Sequence, residues 1–125
     1  MRVADTSVLY ALFSKDDEFH ENAKDDISSS EPIVVPSEIL VETIDLLAYR
    51  FGASAGRRAL DFLIDLPHLS ISEKVEVSAT KEIYENAKGG LSLADAFVVQ
   101  TCVSVGAGLL AYDQRIVAEL RKRRA

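Results

Sequence analysis

Four acidic residues stand at chain positions where a carboxylate is costly unless something binds it. Asp5 ends the short apolar run Arg2-Val3-Ala4. Glu42 interrupts an apolar helical stripe. Asp95 opens a nearly all-apolar stretch from Leu93 to Val105. Asp113 follows Leu109-Leu110-Ala111. A carboxylate withdrawn from water must be paired, neutralised or bound to a cation. Convergence of these groups would make an all-oxygen site of the kind that holds Mg²⁺ or Mn²⁺.

Each residue also has a local explanation. Asp5 could cap the helix that follows it, although Thr6 or Ser7 could cap in its place. Glu42 lies on the stripe Ile39, Glu42, Leu46, beside Leu40, Ile44 and Leu47, so an apolar surround is expected. An ion pair with Arg50 or Arg57 would serve it there, and Glu38 lies one turn earlier. Ser92 and Asp95 have capping-box spacing. Asp95 also shares a stripe with Val98, Val99 and Cys102, and no other charge occurs between Lys88 and Asp113. Asp113, in Tyr112-Asp113-Gln114-Arg115, suits a turn or cap.

The elements that would position these groups alternate between strand and helix. Short apolar strands are expected at Arg2–Ala4, Ile33–Val35, Leu69–Ile71 and Leu109–Ala111. Helices are expected from Ser7 to Phe13 and from Phe19 to near Ser28. Ser37 is expected to cap a helix reaching Phe51, stopped by Gly52, and Ser54 one that ends near Leu66 before Pro67. Further helices are expected from Val75 to Lys88, from Leu93 to Val105 between Ser92 and Gly106, and from Arg115 to Lys122. This alternation predicts an α/β fold with a small parallel sheet. In such sheets the functional crevice lies beyond the carboxyl ends of the strands. Asp5 and Asp113 belong there, and the first turns carrying Glu42 and Asp95 can reach the same edge.

The chain has 125 residues, consistent with a single domain spanning 1–125. One cysteine, Cys102, excludes an intrachain disulfide; with only His20 and His68 beside it, a thiolate-rich zinc site is excluded too. Cys102 reads as a small core residue. No signal peptide and no membrane-length apolar run is visible, so a cytoplasmic protein is expected. The net charge of −6 argues against a generic polyanion binder. It is unevenly placed. Residues 115–125 carry +4, from Arg115, Arg121, Lys122, Arg123 and Arg124 against Glu119, and the remainder carries −10. The acidic run from Asp16 to Glu31 reads as a solvated face.

The segments Asp5-Thr6-Ser7-Val8-Leu9, Pro36-Ser37-Glu38-Ile39-Leu40-Val41-Glu42, Leu91-Ser92-Leu93-Ala94-Asp95-Ala96 and Leu110-Ala111-Tyr112-Asp113 resemble the PIN-domain ribonucleases. The similarity is strongest to the single-domain VapC-type toxins of toxin–antitoxin pairs, and it runs from Met1 to about Leu120. It implies a three-layer α/β/α sandwich with a small, mostly parallel central sheet. It implies an Mg²⁺- or Mn²⁺-dependent endoribonuclease, with Asp5, Glu42, Asp95 and Asp113 as the acidic quartet. Thr6 matches the hydroxyl that often follows the first aspartate. RNA as substrate, a cognate antitoxin and a homodimer are the implied partners. Two features depart from the family pattern. Ala111 stands where members commonly carry Ser or Thr, and no edge strand is expected after the basic last helix.

Phosphodiester hydrolysis by a metal-activated water needs no side-chain nucleophile, which suits a chain without a Ser–His or Cys–His pair. Arg57, Arg58, Arg115 and the 121–124 cluster are the candidate phosphate contacts. A phosphoacceptor domain also gathers acids at a sheet edge. It needs an acidic pair near the first strand and a late lysine, both missing here. A non-catalytic RNA- or protein-interaction module is the remaining alternative. The helices expected at 37–51 and 54–66 are apolar on nearly every side, which predicts a two-fold homodimer through them.

Overall fold

The structure, a computed structural model, describes residues 1–74 and 76–124. In chain order its elements are β1 (Arg2–Ala4), α1 (Thr6–Phe13), α2 (His20–Ser28), β2 (Ile33–Pro36), α3 (Ser37–Phe51) and α4 (Ala53–Asp65). There follow β3 (Leu69–Ser72), α5 (Val77–Asn86), α6 (Leu93–Val105), β4 (Gly108–Leu110) and α7 (Gln114–Arg124). The expected helix start at Val75 and the domain end at Ala125 lie outside the described residues.

The strands form one parallel sheet in the order β3-β2-β1-β4. Val3 stands opposite Val34 on one side and Leu109 on the other, so β1 is central. Central parallel strands are covered on both faces, and Val3, Ala4, Ile33 and Val35 are fully buried. The chain moves from β1 outward to β2 and β3, then returns past β1 to β4. Right-handed crossovers place helices of the outward and return paths on opposite faces. The packing agrees: α1 contacts α2 and α3, and α3 contacts α4. On the return path α6 contacts α5, α7 and β1. The result is the expected α/β/α sandwich.

Local chemistry sets the helix ends. Gly106 stops α6 with a left-handed φ of 66°, and its N–H bonds to the Cys102 carbonyl. Two of the expected caps are not formed. Ser37 is already the first residue of α3, with Pro36 in the cap position, and its hydroxyl donates to Glu38. Ser54 is inside α4, which starts directly after Gly52. In both places the preceding residue sets the turn by its own backbone, so no hydroxyl cap is needed.

The α3–α4 pair depends on one close approach. A Cβ at Gly56 would meet the Ala48 Cβ at 3.0 Å and the Ile44 carbonyl at 3.3 Å. Ile39, Leu47, Ala59 and Leu63 are buried in this hairpin and its seat on the sheet. Gly56→Val is expected to cost about 1–3 kcal/mol by forcing the helices apart. Urea unfolding measures it, and an unchanged midpoint would contradict the close packing.

Candidate metal centre

The reversal of strand order puts a crevice between β1 and β4, at their carboxyl ends. Asp5 leaves β1 there and Asp113 follows β4. The two strand ends are tied together by the Asp5 N–H donating to the Leu110 carbonyl at 3.2 Å. An open cleft of about 610 Å³ occupies this edge. Asp5, Thr6, Asp95, Asp113 and Arg115 line it, along with Asp17 and Glu18 from the loop before α2.

Asp5 is the buried member, only 2% exposed. It caps α1, as its local sequence allowed, and Thr6 and Ser7 do not take that role. Its Oδ1 accepts from the Ser7 hydroxyl at 2.7 Å and from the Val8 N–H at 3.4 Å. Ser7 Oγ in turn accepts the Tyr112 N–H at 3.2 Å, so the loop after β4 is fixed to the carboxylate of β1. Burial raises the Asp5 pKa to about 6; these hydrogen bonds oppose the rise, and the charges of Asp95 and Asp113 add to it.

The other carboxylates have partners of their own. Asp95 completes a capping box at α6: its N–H donates to Ser92 Oγ at 3.1 Å, and its Oδ2 accepts the Ser92 N–H at 3.3 Å. It is half-buried, while Val98, Val99 and Cys102 on the same helix are in the core. Asp113 accepts from the Arg115 backbone at 2.9 Å, and from the Arg115 side chain at 3.1 Å on Oδ1 and 2.7 Å on Oδ2. That guanidinium holds its pKa below the usual carboxylate range.

Glu42 departs from expectation. It is exposed, because the buried stripe of α3 is Ile39, Thr43 and Leu47, and position 42 is about 100° round the helix from 43. No ion pair to Arg50 or Arg57 forms among the described residues. Arg50 instead lies over the Tyr10 ring, and Glu42 accepts a hydrogen bond from Thr6 Oγ1. Glu42 therefore reaches the cleft through Thr6, while Leu46, one turn on, lines it directly.

The basic cluster 121–124 is not at this edge. Arg124 donates to the carbonyls of Cys102 and Ala107, at the start of β4, and so closes the far end of α6. Arg123 pairs with Glu82 and Glu119. Of the candidate phosphate contacts, Arg115 alone lines the cleft. Sequence reasoning missed the Ser7 bridge and the aromatic wall. Tyr112 stacks on Phe19 with ring centroids 4.7 Å apart, and its hydroxyl donates to Asp26. The only sequence signal for either was a polar or aromatic residue beside an expected ligand.

Among the described residues no three Asp, Glu, His or Cys side chains already form a metal-holding cluster. Arg115 pairs with Asp113, and Thr6 donates to Glu42. The donor chemistry suits a hard divalent cation. All candidate ligands are carboxylate oxygens, and the charge of Asp5, the buried one, is disfavoured first by burial and then by the charges of its neighbours.

Asp5 generates a pH prediction for the metal-free protein. Its folded pKa is raised, so the folded state binds the proton more tightly than the unfolded chain does. Stability from this group is present at low pH and is lost as pH rises from about 4 to about 6. Asp5→Asn is expected to leave stability at pH 4 nearly unchanged and to add on the order of 1–3 kcal/mol at pH 8. Urea unfolding in EDTA at the two pH values checks this; equal effects at both would contradict it.

The comparisons with known proteins agree with the geometry. VapC20 of Mycobacterium tuberculosis, a sarcin–ricin loop cleaving toxin, superposes with a TM-score of 0.78 at 23% identity, covering 94% of each chain. PAE2754 of Pyrobaculum aerophilum gives a TM-score of 0.60 at 22% identity, over 94% of this chain and 83% of that one. Among curated proteins none matches. The PIN domain family model matches residues 2–122. With nearly its whole length matched, its parallel sheet in the order that sets a crevice beside β1, and its carboxylates at that crevice, this chain belongs to the PIN domain family.

Proposed function

We propose that this PIN domain is a metal-dependent endoribonuclease, the toxin of a toxin–antitoxin pair of VapC type. Asp5, Glu42, Asp95 and Asp113 are its proposed ligands for Mg²⁺ or Mn²⁺, with Thr6 beside them. The observation that carries the reading is that Asp5, Asp95 and Asp113 line one cleft between β1 and β4, where burial first, and the nearby carboxylates second, raise the pKa of Asp5. Family membership and the likeness to a toxin that cleaves RNA support the same reading.

A bound divalent ion would lower the pKa of a water and offset the charge of the phosphate. The chain's own residues hold the frame. Ser7 fixes the Asp5 carboxylate through Oδ1, and the described residues offer no hydrogen bond to Oδ2. The Thr6 hydroxyl, released from Glu42, can donate to a phosphate oxygen. Water attacks phosphorus, the P–O3′ bond breaks, and the 3′ oxygen takes up a proton. The products are a 5′-phosphate and a 3′-hydroxyl.

Side-chain nucleophiles are poor competitors for this role. The imidazoles of His20 and His68 bond to the carbonyls of Ala11 and Ile27. Burial pushes the Cys102 thiol up to about 11, so it stays protonated. A phosphoacceptor role fits worse, because the cleft is lined by Arg115 and no lysine.

We also propose cytoplasmic location and a homodimer through α3 and α4. No helix among the described residues is long and apolar enough to cross a membrane. Val41, Phe51 and Ile64 are 50–59% exposed, and Tyr49 is 89% exposed. This is fewer free apolar residues than the sequence pattern suggests, since Ile39, Leu47 and Leu63 face the core and Leu46 the cleft. A cognate antitoxin is the other candidate for this surface. An adjoining cleft of about 560 Å³, lined by Phe13, Leu47, Phe51 and Phe62 with Lys15, Asp16 and Arg58, has the apolar floor and charged rim to suit an amphipathic segment.

Two measurements test the proposal. Purified protein with Mn²⁺ is expected to cut single-stranded or structured RNA, and EDTA to stop it. Asp5→Asn and Asp95→Asn are expected to lose more than about 100-fold in cleavage with the fold intact; full activity in both would reject the site. Light scattering at micromolar concentration is expected to give twice the 13.7 kDa chain mass. A monomer would reject the dimer.

A further inference from the structure

Arg115 is the one basic side chain lining the acidic cleft among the described residues. It grips Asp113 with two nitrogens, one on each carboxylate oxygen, at 3.1 and 2.7 Å. This fork-to-fork contact is the strongest form of an Arg–carboxylate pair, and it uses the same oxygens that a cation would take. The guanidinium itself is largely solvent-exposed, so nothing packs it in place. Its hold on Asp113 rests on charge and two hydrogen bonds, which a divalent cation can replace.

We infer that Arg115 is an internal counter-ion that competes with the divalent cation for Asp113. In the metal-free chain it closes Asp113 and lessens the mutual repulsion of the carboxylates. When a cation arrives, the guanidinium swings off. It then stands free at the rim of the cleft with an open fork, where an RNA phosphate is its natural partner. The backbone bond from the Arg115 N–H to Asp113 Oδ1, at 2.9 Å, does not depend on the side chain. Asp113 therefore keeps its helix-capping geometry through the exchange.

This inference rests on the metal site proposed above, and calorimetric titration of the metal-free protein with Mn²⁺ separates the two. Arg115→Ala is expected to bind Mn²⁺ about two- to fivefold more tightly than the native chain, the range of a solvent-exposed ion pair. Arg115→Lys keeps the charge but loses the fork, and is expected to tighten binding in the same direction. In an Asp113→Asn background the Arg115→Ala effect is expected to vanish, as the competed ligand is gone. Tightening in the alanine variant with none in the lysine variant would show a general field of charge and overturn the competition. Equal affinities in all three chains would overturn it too, while leaving the metal site standing. No Mn²⁺ binding to any chain would overturn both.

Discussion

Asp5 is a carboxylate that the fold does not allow to reach bulk water. It ends the central strand of a parallel sheet, with β2 and β4 on either side and α1 starting directly above it. Its backbone N–H is taken by Leu110, and its Oδ1 by Ser7 and Val8. Burial and the nearby charges of Asp95 and Asp113 all favour its protonated form. A proton at this position is easily held near pH 6, and a cation would serve the same purpose above it. The arrangement of the whole crevice follows from that one unfavourable charge.

The neighbouring carboxylates are compensated by different means. Asp95 sits at the start of α6, where the helix N-terminus and the Ser92 N–H both favour negative charge. Asp113 has the Arg115 fork. Glu42 is solvated and accepts from Thr6. Among the described residues Asp5 is the one of the four with neither a cationic partner nor solvent contact, and burial is the larger part of what disfavours its charge. A charge so disfavoured is one that a bound cation would relieve. It also costs stability, as functional sites commonly do.

The sequence made much of this legible, for identifiable reasons. Gly52 and Gly106 marked helix ends because their positive φ angles exclude most other residues. Asp5 and Asp113 were placed at one sheet edge because strand ends in a parallel sheet share it. Glu42 was misread because the two rows of apolar residues on α3 lie side by side. The row containing Thr43 faces the core, and Thr43 looks polar in sequence. The basic tail was misplaced for a topological reason. Helix α7 starts at the crevice and runs about 16 Å away from it, so charges adjacent in sequence to Arg115 end at the opposite edge of the sheet. Arg124 is fixed there by the carbonyls at the end of α6 and the start of β4.

That geometry constrains how a polyanion could be bound. The cleft is lined by Asp5, Asp17, Glu18, Asp95 and Asp113 against Arg115. Without a bound cation its field repels phosphate, and the basic cluster is too far away to offset it. In the proposed reaction a cation makes the crevice more favourable to phosphate in two ways. It neutralises carboxylates, and by displacing Arg115 from Asp113 it frees a fork for the phosphate backbone. On that proposal metal and RNA would bind with positive coupling. By linkage the RNA must tighten the metal by the same factor as the metal tightens the RNA. An acidic cleft whose one arginine is released in this way would favour substrate only in the metal-loaded state.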